Sequence, residues 1–139
     1  MVLRTDYRAA VVVIGLVSWL WYSATGAADA IDVARGARVY QRCYSCHTVD
    51  PKEQARLEGP SLYGVVGRRA ASIAGFSYSP ALVAKGEAGL VWTEDELDRF
   101  LLEPEGVLPG NQMGFFGLPD AHDRADLIAY LKDAAQRST

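Results

Sequence analysis

Cys43-Tyr44-Ser45-Cys46-His47 is the stretch that decides how this chain reads. A C-x-x-C pair with a histidine directly after it is the pattern of covalent c-type heme attachment. Each thiol becomes a thioether on a heme vinyl group, and the imidazole meets one face of the iron. Cys43 and Cys46 are the only cysteines in 139 residues, so no second thiol pair competes for a disulfide framework. Two other readings use the same thiols. Half of a zinc site needs further Cys or His ligands, and beyond His47 the chain offers only His122. A thioredoxin-like dithiol belongs at a strand-to-helix junction, and no βαβ pattern surrounds these residues.

If heme is attached here, the sixth iron position sets the chemistry. Of the two methionines, Met1 opens the chain, which leaves Met113 as the candidate thioether. It lies in Pro109-Gly110-Asn111-Gln112-Met113-Gly114-Phe115, a Gly- and Pro-punctuated loop that can bring a side chain close to a ring. Histidine with methionine raises the reduction potential relative to two histidines. His122 is the alternative ligand. It stands beside Asp120, Asp123 and Arg124 at the start of a helical pattern, where a capping or solvent-facing role suits it better.

Residues 9–28 carry no charged side chain, with Val11–Val17 followed by Trp19-Leu20-Trp21-Tyr22. Arg4 and Arg8 precede this segment, and Ala24, Gly26, Ala27, Ala28 and Ala30 follow. That is the order of a secretory signal. About 20 uncharged residues also just span a hydrocarbon core, so an uncleaved anchor with interfacial aromatics is the rival reading. Either way Arg4 and Arg8 stay inside and the chain beyond Asp29 lies outside. We therefore divide the chain into 1–30, a signal peptide or membrane anchor, and 31–139, one domain of roughly 110 residues, enough for a modest core. Fourteen Lys and Arg face seventeen Asp and Glu, a near balance that gives no global basic field and argues against a nucleic-acid partner.

From Asp32, which reads as an N-cap, Val33, Gly36, Ala37, Tyr40 and Cys43 recur at helical spacing, so a first helix delivers the chain into the heme motif. Asp50-Pro51 and Gly59-Pro60 punctuate a polar loop over Lys52–Glu58. Gly64, Gly67, Gly75 and Gly86 break up residues 59–90 into Ω-type loops with one short helix around Pro80–Lys85. Thr93 with Glu96 reads as a capping box opening a helix whose apolar face is Leu97, Phe100 and Leu101, stopped by Pro104. Residues 105–119 read as loop. A last helix begins near Ala121–Asp123 and buries Leu127, Ile128, Tyr130 and Leu131. Three or four helices with Gly- and Pro-rich connections make an all-α domain.

Taken together these residues closely resemble class I cytochromes c, particularly the bacterial cytochrome c2 type, which is similar to mitochondrial cytochrome c. The resemblance runs over about 33–135. It includes Gly36, Tyr40, the heme motif, Gly59-Pro60-Ser61-Leu62, Gly64–Arg68, Gly75-Phe76-Ser77-Tyr78, Trp92, Pro109-Gly110 with Met113, and Asp126–Leu131. It implies a cytochrome c fold around one covalent heme c, with Cys43 and Cys46 attached and His47 and Met113 as axial ligands. It also implies that the Pro60 carbonyl accepts from the His47 ring, that Arg68, Tyr78 and Trp92 face the propionates, and that Gly36 and Tyr40 pack on Leu127 and Tyr130, with plain core packing for the two tyrosines.

The function implied is one-electron transport, not enzymatic turnover, on the periplasmic side, either as a soluble protein or tethered to the inner membrane. The donor implied is a quinol:cytochrome c oxidoreductase, and the acceptor a terminal oxidase or a photosynthetic reaction centre. The competing class is a heme enzyme or gas sensor in which Met113 dissociates. Three departures stand out. Phe100 replaces a tyrosine that donates to the methionine sulfur, Gln112 replaces a lysine, and Glu105-Gly106 replaces a basic pair. Remaining basic residues cluster at Arg35, Arg38 and Arg42 and at Arg68 and Arg69, with Arg42 the best docking candidate. Glu94–Asp98 and Glu103–Glu105 form an acidic face opposite, and the two faces imply a dipole that orients encounter.

Overall fold

The computed structural model describes residues 30–53 and 57–137. Segment 9–28, with its signal or anchor reading, lies outside them, as does part of the Lys52–Glu58 loop. Ile31–Thr139 forms one compact unit. Among the described residues no helix is long and apolar enough to cross a membrane.

Among the described residues, five α-helices build the domain. α1 spans Val33–Val39, and the Asp32 carboxylate caps it by accepting from the Arg35 amide. A single 3-10 turn, Tyr40–Arg42, continues it and ends at Cys43. The motif itself is a turn, in which the His47 and Cys46 amides both donate to the Cys43 carbonyl, at 2.9 and 3.1 Å. The first helix therefore carries the chain directly into the heme motif, as its spacing predicts.

α5, Ala121–Arg137, is the longest helix, and α1 packs against it more extensively than any other two elements meet. Gly36 makes the crossing possible, since a Cβ there would sit 2.0 Å from the Asp126 carbonyl oxygen and 2.8 Å from Tyr130 Cβ. Tyr40 packs its ring on Tyr130 with centroids 5.3 Å apart. Asp126, only 1% exposed, accepts from the Asp32 amide at 2.7 Å and from Arg35 Nε, tying the start of α1 to α5.

α2 runs Pro80–Glu87, slightly longer than the sequence suggests, with Ser79 Oγ accepting from the Leu82 amide and Pro80 in the first turn, where its missing N–H costs nothing. α3, Glu94–Leu102, starts at Thr93, whose hydroxyl accepts from the Glu96 amide at 3.1 Å. Only half of the expected capping box forms. The Thr93 amide donates to the Val91 carbonyl at 2.8 Å, and the Glu96 carboxylate pairs with Arg99 instead of reaching back.

Pro104 does not simply stop α3. Glu103 leaves the helical region, at φ −148° and ψ 79°, as a residue before proline tends to, and Pro104 then opens the short helix α4, Pro104–Val107, so the expected 105–119 loop begins only at Leu108. One isolated antiparallel bridge, Arg69 to Val91, also escaped the sequence reading. Around it Trp92 N donates to Arg68 O at 2.9 Å and Gly67 N to Trp92 O at 2.8 Å. This pairing brings Arg68 and Trp92 side by side.

Candidate functional site

A cavity of about 390 Å3 is lined by Cys43, Cys46, His47, Pro60, Arg68, Tyr78, Trp92 and Met113. All eight residues singled out from the sequence thus meet on one wall system. Its volume is within the roughly 300–1,000 Å3 of small-molecule and cofactor sites. Leu97, Phe100, Leu101, Leu127 and Leu131 supply apolar surface from α3 and α5. His122 is exposed and is not among the lining residues.

Cys43 and Cys46 are half-buried and not bridged to each other. His47 is held at two points. Its ring Nδ1 donates to the Pro60 carbonyl at 2.7 Å, which places the ring proton on Nδ1 and leaves the Nε2 lone pair for a metal. Burial pushes the imidazole pKa below its ordinary value, against the opposing effect of the Pro60 bond, so the ring is neutral and ligand-ready at neutral pH. The His47 main-chain carbonyl accepts from Tyr40 Oη at 2.6 Å. Tyr40 therefore does more than the core packing expected of it.

Gly59 completes this clamp. A Cβ built there would lie 2.4 Å from His47 Cε1 and 2.6 Å from Nδ1, so only a glycine lets the Pro60 strap lie flat on the ring. The strap is held in turn by the Gly59 amide donating to the Cys46 carbonyl at 2.8 Å.

Met113 is set by its own loop. Its amide donates to Asn111 Oδ1 at 2.9 Å, and Asn111 Nδ2 donates to Glu105 Oε2 at 2.8 Å and to the Leu108 carbonyl at 3.0 Å. Glu105 thus braces the axial-candidate loop from α4, which sequence reading missed by treating it as part of an acidic face. Phe115 lines the cavity, while Phe116 beside it is fully exposed. Residues 106–119 contain no Lys, Arg, Asp or Glu.

Arg68 donates through Nη1 to Tyr63 O at 2.9 Å and through Nη2 to Ser61 O at 2.7 Å, so its guanidinium is fixed at the cavity wall by backbone carbonyls. Tyr78 Oη accepts from the Ile73 amide at 3.3 Å, leaving its hydroxyl hydrogen to donate elsewhere. Trp92 is buried and packs on Phe100 with ring centroids 5.1 Å apart, so the position lacking a tyrosine hydroxyl is filled by an aromatic pair.

The cationic cluster is smaller than its sequence suggests. Arg35 is spent on Asp126 and Arg38 lies 4.0 Å from Asp32, while Arg42 is exposed on the cavity rim. The acidic face is likewise partly neutralised, with Glu94, Glu96 and Asp98 paired to Lys132, Arg99 and Arg124.

These residues fit a flat, largely apolar group with carboxylate arms. Two thiols and a neutral imidazole share the cavity with a thioether, and fixed donors sit at the wall. A closed zinc cage does not fit, because no group of three or more His, Cys, Asp or Glu is placed to hold a metal ion among the described residues.

The comparisons point the same way. The family model described as cytochrome c matches residues 33–135. Cytochrome c 2.1 of Caenorhabditis briggsae is 47% identical over 102 residues, covering 73% of this chain and 87% of that protein. Cytochrome c2 of Rhodopila globiformis is 42% identical over 108 residues, covering 77% and 97%. Among solved structures, cytochrome cH from Methylobacterium extorquens superimposes with a TM-score of 0.65 at 35% identity, covering 73% of this chain and 98% of that one. On this fold, this cavity and these relatives, the chain belongs to the cytochrome c family, proteins of electron transport that carry covalent heme c.

Proposed function

We propose that this protein is a monoheme one-electron carrier on the periplasmic side of a membrane, taking electrons from a quinol:cytochrome c oxidoreductase and giving them to a terminal oxidase or photosynthetic reaction centre. When bound, heme c supplies an iron that changes oxidation state by one electron. Cys43 and Cys46 hold it as thioethers, His47 offers Nε2 and Met113 offers its sulfur. Arg68, Tyr78 and Trp92 would offer their side-chain donors to its propionates. The observation that carries this reading is the convergence of His47, locked through Nδ1 to Pro60, and Met113, locked through its amide to Asn111, on one cavity.

The clamps on both ligands matter for carrying electrons. Ligands fixed by Tyr40, Pro60 and Asn111 before the electron arrives need not move when it does, which keeps reorganisation small. Leu97, Leu101, Leu127 and Leu131 line the same space with apolar surface.

The test is spectroscopic. The ferric holoprotein should show the weak red charge-transfer band of an iron–methionine bond at neutral pH, and Met113→Ala should abolish it and give a high-spin heme open to added ligands. A wild-type protein without that band, whose reduced form binds carbon monoxide rapidly, is instead a ligand-binding heme enzyme or sensor. Residues 9–28 serve as signal or anchor in this reading, and the mass of the native protein separates the two, because cleavage removes roughly 30 residues.

A further inference from the structure

Arg124 sits one turn into α5 and is 7% exposed, an unusual place for a guanidinium that pairs with only one carboxylate. Its Nη1 donates to the carbonyls of Leu118 and Pro119, both at 2.9 Å, and its Nε donates to Asp98 Oδ1 at 2.7 Å. One side chain therefore joins three segments: α5, α3 and the end of the loop that carries Met113. The same stem is held from below, where the Leu118 amide donates to the Leu101 carbonyl at 2.7 Å. Gly117, at φ +107°, would drive a Cβ to 2.2 Å from the Leu102 oxygen, so the loop returns to α3 at van der Waals distance.

The two stems of the loop are unlike. The first is closed locally by Asn111 and Glu105, within six residues. The second is held from outside the loop, by the Leu101 carbonyl of α3 and by Arg124 of α5, which is itself paired to Asp98 26 residues away. The Leu118 carbonyl that loses Arg124 is left in a buried place, and the loop relaxes by separating from α3.

We propose that Arg124 is a positioning residue for Met113, holding the thioether where the iron needs it, beyond any part it plays in bracing α3 on α5. This rests on the reading of Met113 as axial ligand. A neutral thioether competes with other ligands only while its loop keeps it close, so the fraction of molecules with Met113 released controls the apparent affinity for any added ligand.

The experiment titrates imidazole into ferric holoprotein and follows loss of the red charge-transfer band, alongside guanidinium unfolding of each variant. Arg124→Gln should bind imidazole about tenfold tighter than wild type, Asp98→Asn a few-fold tighter, and Arg124→Lys between wild type and Arg124→Gln. Asp126→Ala, which weakens the α1–α5 contact without touching the loop, should leave imidazole affinity within about twofold of wild type. If Asp126→Ala tightens imidazole binding as much as Arg124→Gln, or if Arg124→Gln leaves it unchanged, Arg124 is only a brace and the proposal fails. If Arg124→Gln does not assemble, Asp98→Asn and Arg124→Lys decide by the same criterion. Wild type binding imidazole as tightly as Met113→Ala would instead overturn the axial role of Met113 itself.

Discussion

Replacing Asp126 with alanine tests whether a buried carboxylate holds the two terminal helices together. Asp126 is 1% exposed and accepts two bonds, from the Asp32 amide at 2.7 Å and from Arg35 Nε. Hydrogen bonds to a charged acceptor contribute about 1.5–3 kcal/mol each, so the lower bound for losing both is about 3 kcal/mol. That is a large share of the roughly 5–15 kcal/mol by which a domain is stable, and corresponds to a fall in Tm of at least about 10 °C for a unit of this size. Guanidinium unfolding of the ferric holoprotein, followed by far-UV circular dichroism, measures it. Arg35→Met combined with Asp126→Ala should recover part of the loss, because Arg35 Nη2 is already buried without a partner and the single variant strands the whole guanidinium. A single variant that loses less than about 1 kcal/mol, or a double variant less stable than the single, would refute the view that this carboxylate clamps α1 to α5.

Gly59→Ala should push the His47 ring off its Pro60 acceptor, since the new Cβ would fall 2.4–2.8 Å from three ring atoms. We expect a lower yield of covalent holoprotein and an altered ferric spectrum, while an unchanged spectrum would mean that the strap shifts instead of the ring. In acid, the caps of α1 and α5 should weaken together. Asp32 accepts from the Arg35 amide and Asp120 from the Asp123 amide, and these backbone bonds hold both carboxyls below the ordinary 3.8. With the folded pKa below the unfolded one, their stabilisation is present above about pH 3.8 and is lost as pH falls through the lower folded values. Asparagine at either position keeps a cap without titrating, so Asp32→Asn with Asp120→Asn should flatten the acid limb of stability against pH, and an unaltered limb counts against the assignment.

Local chemistry announced most of the site. Cys43, Cys46 and His47 fall within five consecutive residues, Pro60 and Met113 each adjoin a glycine, and Asp32 and Thr93 declare helix starts by residue type alone. What stayed hidden depends on partners far along the chain. The Arg69–Val91 bridge has no local signature, and the reciprocal half of the Thr93 box lost to a carbonyl that sequence cannot place. Arg124 did leave a trace. It falls on the same helical stripe as Leu127, Ile128 and Leu131, and a charge on an apolar stripe signals a buried partner. The charge faces misled because pairing across 26 to 91 residues, as in Asp98–Arg124 and Arg35–Asp126, removes cations and anions that a linear reading counts as free.

Phe116 stands wholly in water on a stretch with no fixed charge between residues 106 and 119, one residue from the cavity wall. Contact made there and contact made at Arg42 obey different thermodynamics. Drying Phe116 against another protein lowers the heat capacity of the pair and leaves the rate of meeting almost flat with ionic strength. Meeting guided by Arg42 slows as salt rises. Calorimetry and a salt series on the same electron-transfer reaction therefore report whether a partner covers Phe116 or Arg42, before any complex is seen.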